Sequence, residues 1–431
     1  MPDTSRPTPL YHLYTGASAL LAPFAWRKVA QRLGAYGVTP ERQRERLGHA
    51  TLPRPNGQLI WFHAASVGES LSVLTLIARL GEMRPEAEFL ITSGTPTSAE
   101  LIEKRMPPRC RHQFPPLDSR AAVDRFLAHW QPDLGVFVES ELWPQMVVRA
   151  RATGCPLVLL NARMSDRTVN AWVKRPDTAG FILSQFNLFV TQNQKTADNL
   201  RRMGAAPDRI RPGSNLKAVS APLPVDQTTL QQMQTALGDR PLWVASSTHA
   251  GEEETVLAAH AQILKTLPDA CLLLVPRHPD RGDTVETLIR DAGLTLARRS
   301  GGEMPTAQTH VYLADTLGEV GTWYALCPRV FMGGSLLEIG GHNPFEPAQL
   351  GATVLTGPGY FNFAESYAEM IAEGAAFEAA NAEAIAARVT TWLGQSTELE
   401  VACAAATAYI ARQSDHLDKT AAALIELLPA A

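Results

Sequence analysis

Carboxylates that follow short apolar runs are the first residues in this chain able to do chemistry. Glu69 lies in His63-Ala-Ala-Ser-Val-Gly-Glu-Ser70. It is followed by Leu71, Leu74, Ile77 and Ala78 at helical spacing, which places Glu69 in a first helical turn. There it serves either as a helix-terminus acid or as a general base toward an attacking hydroxyl. Glu139 and Glu141 stand in Val138-Glu-Ser-Glu-Leu-Trp-Pro144, with Pro144 suited to the first helical position. Two carboxylates one residue apart can hold a divalent cation. However, the sequence has no Asp-x-Asp and no histidine beside the pair, so one acid in the site and one at a helix end is the expectation.

Cationic and glycine-rich strings supply the complementary chemistry. Arg163 in Asn161-Ala-Arg-Met-Ser165 and Lys217 in Asn215-Leu-Lys217 suit an anionic substrate or leaving group, or simply a solvated surface. Further on, Ser246-Ser-Thr-His-Ala-Gly-Glu252 offers hydroxyls and backbone N–H groups for a phosphate, with Ser247 and Thr248 as candidate contacts. Arg277 and His278 follow an apolar run in Leu274-Val-Pro-Arg-His-Pro279, and the always-charged Arg277 is the better phosphate ligand. Met332-Gly-Gly-Ser335 brings Gly334 and Ser335 as possible donor phosphate or sugar contacts. Gly340-Gly-His-Asn-Pro-Phe-Glu346 places Asn343 and Glu346 toward ribose or phosphate. A carboxylate base in one half and anion donors in the other is the division that sugar transfer from a nucleotide requires.

The elements that must position these strings alternate along the chain. Apolar runs are expected as strands at 59–63, 89–92, 134–138, 157–160 and 188–191, then at 242–246, 271–275, 311–314, 330–332 and 353–355, each feeding a loop or helix. This pattern predicts an α/β protein with parallel sheets, whose ligands bind outside the carboxyl ends of the strands. At 431 residues two domains are expected. The proline-bearing stretch 218–225 reads as their linker, dividing an N-terminal domain at 49–217 from a C-terminal domain at 226–431 with a cleft between them.

Residues 1–48 form a further segment. Leu10 to Trp26 carries no formal charge and precedes Arg27, Lys28, Arg32, Arg42, Arg44 and Arg46, which predicts a membrane-contacting element held to the cytoplasmic side. Spanning and surface-lying forms both fit, since about 20 apolar residues are needed to span. A cleaved signal peptide fits less well, because a basic start is missing and Arg27-Lys28 stands where a cleavage site belongs. A net charge of -4 and 45% hydrophobic content argue against nucleic acid as a partner. Five scattered cysteines fit a reducing compartment.

In this order the strings Ser66-Val-Gly-Glu69, Glu139-Ser-Glu-Leu-Trp-Pro144, Asn161-Ala-Arg163, Ser247-Thr-His249, Pro276-Arg-His-Pro279 and Gly340-Gly-His-Asn-Pro344 resemble the 3-deoxy-D-manno-octulosonic acid (Kdo) transferases of Gram-negative bacteria. Those enzymes build the inner core of lipopolysaccharide on lipid A. The resemblance covers nearly the whole chain. It implies a GT-B architecture of two Rossmann-like domains plus an N-terminal membrane-associated helix. It also implies a CMP-Kdo donor, a lipid A precursor as acceptor, no metal or other cofactor, and work at the cytoplasmic side of the inner membrane.

By the same resemblance Glu69 is the base, and Glu139 and Lys217 stabilise the transition state. CMP meets Pro276, Arg277, Leu317, Gly318, Glu319, Asn343, Pro344, Phe345 and Glu346. Apart from the resemblance, Ser66 and Arg163 are candidate acceptor contacts. The string Asn343-Pro-Phe-Glu346 has Phe345 where a leucine often precedes the glutamate, and the N-terminal apolar stretch is weaker than usual for the family. A transferase or epimerase using another nucleotide sugar, and a membrane-docked nucleotide-sugar sensor, are the other readings these strings leave open.

Overall fold

The computed structural model describes residues 6–213, 215–219, 222–394 and 396–429, with the side chains at 217 and 396 outside the description. The chain divides into two compact units, residues 1–220 together with 413–431, and residues 221–412. The sequence reading carried the second unit to 431. The correction comes from the helix Ser396–Glu426, whose final turns place Leu417, Ala421 and Leu424 in the core of the first unit beside Ile60, Leu76 and Ile77. An amphipathic stripe says that a helix must be covered, and not by which sheet.

In the first unit the strands are β1 (Leu59–Ala64), β2 (Glu88–Ser93), β3 (Cys110–Gln113), β4 (Leu134–Val138), β5 (Leu157–Ala162), β6 (Leu188–Thr191) and β7 (Ile210–Pro212). They form one sheet in the order β3-β2-β1-β4-β5-β6-β7, with every pairing parallel. In the second unit β8 (Leu242–Thr248), β9 (Cys271–Pro276), β10 (Leu296–Arg298), β11 (Val311–Leu313), β12 (Arg329–Met332), β13 (Thr353–Thr356) and β14 (Ala376–Glu378) run β10-β11-β9-β8-β12-β13-β14, again all parallel. The central strands are buried along nearly their whole length and mostly apolar, because both faces are covered. Winding reverses between β1 and β4 in the first sheet and between β8 and β12 in the second. These are the points where doubly wound sheets bind ligands.

The ten expected strands are all present to within two residues at either end. The four that lacked a signal, β3, β7, β10 and β14, are three or four residues long, and all four lie at a sheet edge. The helix Val67–Met83 buries Val73, Leu76 and Leu80 as well as Leu74 and Ile77, a wider face than the expected one. The N-terminal segment is the helix Pro9–Ala35, and it is docked on the first unit rather than apart from it. Tyr14 Oη donates to Asp118 (2.7 Å), Gln145 Nε2 donates to Thr15 Oγ1 (2.7 Å), and Leu33 is buried with Phe114. Among the described residues no helix is long and apolar enough to cross a membrane.

Buried histidines tie stability to pH. His260 accepts from Trp243 Nε1 (3.2 Å) and lies 2.9 Å from the His310 carbonyl, an arrangement that suits a neutral ring. Burial pushes its pKa down to about 4. The unfolded chain therefore takes up a proton below its ordinary value of 6.5 that the native ring refuses, and this group's penalty grows as pH falls from 6.5 toward 4. The stability difference between wild type and His260→Gln should shrink over that window by at most about 1.4 kcal/mol per pH unit. Urea melts at several pH values would show it, and a pH-independent difference would contradict it.

Candidate active site

In the first unit the loop after β1 becomes the helix Val67–Met83, with Ser66 as its N-cap accepting from the Glu69 N–H. The Glu69 carboxylate turns back on this cap, accepting from Ala65 N–H (2.9 Å) and Ser66 Oγ (2.8 Å). Both readings of Glu69 are compatible with this geometry. A carboxylate has about four acceptor positions, so two stay open on a half-buried side chain whose direction the cap sets. Ser66, exposed, is spent first on holding Glu69.

Across the winding reversal, Glu139 follows β4 with φ +57° and Asn161 near the end of β5 has φ +54°, both in the left-handed region. A third, Ser247 in β8, has φ +58°. Of the five such non-glycine residues among the described ones, these three lie at strand carboxyl ends that the sequence singled out. Conformations of this kind persist where surrounding contacts over-determine them. Asn161 shows how: its carbonyl accepts from Gln192 Nε2 (3.1 Å) and its Oδ1 accepts from Leu216 N–H (3.2 Å). Leu216 opens the short helix Leu216–Val219 that carries Lys217, and Leu216 and Val219 are buried in the same cluster as Val73 and Leu74 of the Glu69 helix. The fold thus brings the Glu69 helix and the Lys217 turn together, with Asn161 joining that turn to the end of β5. The Lys217 side chain itself lies outside the described residues. Arg163 is exposed, with its N–H 3.5 Å from the Glu139 carbonyl.

Glu141 lies 3.5 Å from His63 Nε2 and accepts from Trp143 Nε1. Burial raises its pKa, but His63 and the indole more than offset this and hold it below the ordinary value. In the sequence His63 reads as the last residue of a strand and the first of a loop, with no partner indicated. Its pairing with a residue from the neighbouring strand end needed the β1–β4 register, where His63 lies opposite Phe137.

In the second unit the loops after β8, β9 and β12 gather around Arg277. Its N–H donates to the Thr248 carbonyl (2.9 Å), its side chain is exposed, and its charge acts on Glu346, His249 and His342. Burial raises the Glu346 carboxyl, against the Asn343 amide (3.2 Å) and the Arg277 charge. Asn343 also accepts from Phe345 N–H (3.1 Å), so it shapes the turn at Pro344 that opens the helix Phe345–Gln349. His249 and His342 stack with Nε2 atoms 2.9 Å apart, and burial pushes His342 down to about 4, leaving it neutral at pH 7.

Pro276 is buried at the end of β9, behind Arg277. Leu317, 81% exposed, and Gly318, φ +86°, form the tip of a loop. That loop is anchored by Glu319 on Arg299 and Thr316, and by Asp315 on Arg298. Arg299 was not singled out from sequence.

The backbone donors expected to meet a phosphate at Gly334 and Ser335 are engaged within the chain. The backbone N–H groups of Gly334 (2.6 Å), Ser335 (2.9 Å) and Leu336 (2.8 Å) do form an anion cradle, but Glu252 fills it with a fully buried carboxylate that also accepts from His249 N–H (3.1 Å). Ser335 Oγ is committed to the Met332 carbonyl (2.6 Å) and to Gly357 N–H (2.8 Å). Gly334 and Ser335 therefore have no such donor left for a phosphate. Beside them, a Cβ on Gly333 would meet the Ser247 carbonyl oxygen at 2.6 Å, so this glycine permits β12 to end against β8. Glu252, three residues after His249, carries the spacing of a capping acid, which is the signal that could have found it.

A family model described as 3-deoxy-D-manno-octulosonic-acid transferase (kdotransferase) matches residues 41–220. A 3-deoxy-D-manno-octulosonic acid transferase of Bordetella pertussis is 30% identical over 430 residues, covering 96% of this chain and 99% of that protein. One of Rickettsia felis is 34% identical over 343 residues, 80% of this chain and 73% of that protein. The chain belongs to the 3-deoxy-D-manno-octulosonic acid transferase family. A solved glycosyltransferase of Rickettsia africae, 12% identical, aligns over 88% of this transferase and 100% of its own chain with a TM-score of 0.57, which shows the shared GT-B-type fold.

The transferase depends on Glu252 for the shape of its β8 and β12 loops. Glu252→Ala would leave several buried N–H groups unpaired, each costing about 1–3 kcal/mol. A loss of at least about 3 kcal/mol in urea unfolding is expected, and a loss below about 1 kcal/mol would show that water replaces the carboxylate.

Proposed function

We propose that this enzyme transfers Kdo from CMP-Kdo to a lipid A precursor, lipid IVA, with inversion and release of CMP, without a metal, at the cytoplasmic face of the inner membrane. The observation that carries the reading is the placement of Glu69 at the β1 end of the first winding reversal, on a helix packed against the Lys217 turn. Glu69 takes the proton from an acceptor hydroxyl as its oxygen bonds to the anomeric carbon. The bond from that carbon to the phosphate oxygen breaks, and CMP departs with the electron pair. Ser66 and Ala65 orient the base, and Glu139 and Lys217 stabilise the transition state.

The second unit supplies the donor side. Arg277, exposed and permanently cationic, meets the phosphate. Asn343, Pro344, Phe345 and Glu346, with Leu317, Gly318 and Glu319, take the rest of the nucleotide. Ser247 and Thr248 remain candidates for donor contact, since the strained Ser247 backbone presents this segment at the winding reversal. The helix Pro9–Ala35 supports the membrane reading. Leu13, Leu20, Leu21 and Phe24 are each more than 60% exposed on it, ahead of Arg27, Lys28 and Arg32, so the helix offers apolar side chains and then cations to a membrane surface.

Glu69→Gln should lower turnover on lipid IVA by about 100-fold or more while CMP affinity stays within twofold. Turnover within tenfold of wild type would remove Glu69 as the base. Arg277→Ala should weaken CMP binding in calorimetry, and unchanged affinity would exclude the phosphate contact. Activity should persist in EDTA, and a loss restored by Mg²⁺ would overturn the metal-free step.

A further inference from the structure

The first unit contains a cavity of about 290 Å³ that the transfer chemistry leaves unused, with Leu10, Tyr11, Tyr14, Pro144, Trp172 and Ile182 among its lining. Its walls come from the N-terminal helix, the first turn of Pro144–Ala152, and the helices Asp166–Val173 and Pro176–Ser184. Arg175, exposed, is the one charged side chain among its lining residues. Such an apolar hollow with few polar groups is the ordinary form of a small-molecule site.

Two connections say what fits it. On the outer side, Leu10 lines the cavity and is 40% exposed. Leu13, Leu20, Leu21 and Phe24 continue an exposed apolar surface along the same helix, so the hollow opens onto the surface proposed to meet lipid. On the inner side, Tyr14 lines the cavity and donates to Asp118 (2.7 Å), and Asp118 lines a second hollow of about 130 Å³ with Arg46, His63, Glu141 and Ala65. Ala65 N–H is the group that holds the Glu69 carboxylate. The Tyr14–Asp118 bond thus joins the first hollow to a second that carries Arg46, His63 and Glu141 among apolar residues, and the second reaches the loop of the base. At roughly 30 Å³ for each water-sized group, 290 Å³ holds about ten, the scale of a medium acyl chain.

We propose that this cavity takes one acyl chain of the lipid acceptor, with Arg175 at its rim facing the anionic headgroup. Acyl anchoring would fix how far the acceptor sugar rises from the membrane, and so which hydroxyl reaches Glu69. The inference rests on the proposed lipid acceptor and goes beyond it by naming the subsite.

The test uses the full chain, CMP-Kdo and two acceptors, lipid IVA and its fully deacylated form. Ala171→Trp fills the cavity from an exposed position, and Leu10→Asp makes its mouth polar. Each should raise KM for lipid IVA at least tenfold while CMP affinity, melting temperature and KM for the deacylated acceptor stay within twofold. Equal effects on both acceptors, or none, would overturn the subsite. Should Ala171→Trp fail to fold, Leu10→Asp decides.

A lipid IVA bearing a diazirine on one acyl chain gives a second readout. Labelling of peptides containing Trp172 or Ile182 supports the proposal, and labelling confined elsewhere refutes it. Labelling by a diazirine-bearing decanoate that lipid IVA does not displace would mark an adventitious apolar hollow, also a refutation. Wild type inactive on both acceptors would overturn the proposed function itself, and the subsite with it.

Discussion

Parallel strands cannot be joined by tight turns, so each must be followed by a crossover over one face of the sheet. A sheet wound outward in both directions from one central pair must then send its two central loops apart. That constraint operates between β1 and β4 and again between β8 and β12, and it decides where chemistry can sit. Glu69 and the Glu139 elbow leave the first pair, and the Ser247 and Gly333 loops leave the second. Every further feature of the candidate site is a means of holding irregular backbone at those two openings.

The holding devices are polar and local. Left-handed residues at Glu139, Asn161 and Ser247 cost of order 1–3 kcal/mol each, and they re-aim the chain at strand ends where a regular strand would run on. Asn161 offsets part of its cost by accepting from the Lys217 turn, and the irregular registers of β5 with β6 and β8 with β9 absorb the extra residue. Glu252 shows the same economy in reverse. A concavity of backbone N–H groups that looks made for phosphate is closed by the chain's own carboxylate, while the exposed Arg277 keeps its charge within reach of Glu346. A preorganised charge of this kind needs no rearrangement when a leaving group appears.

The N-terminal helix joins this machinery to its surroundings. It is pinned near its first turns by Tyr14 and Thr15 and near its end by Leu33, while its middle presents leucine and phenylalanine to solvent. Asp118, half-buried and bonded to Tyr14, also accepts from the N–H groups of Gln145 and Met146 at the start of the helix that follows Glu139-Ser-Glu-Leu-Trp143. One carboxylate therefore couples the N-terminal helix to the loop that follows β4.

Apolar runs punctuated by Gly, Ser, Thr and Pro determined the α/β class, ten of the fourteen strands among the described residues and the loops worth reading, because a strand buried on both faces reads as a nearly continuous apolar run. Residue type alone marked Glu69, Arg277 and Asn343, since few side chains suit a base or a phosphate. Only the tertiary structure decided what each group faces. Glu252 and Glu69 are equally plausible acids in sequence, yet one is a fully buried strut and the other stays half-open on its cap. His63 meets Glu141, and the last helix returns to the first unit. Those outcomes depend on register between distant strands and on which core covers an amphipathic stripe, and neither quantity is encoded in any local pattern.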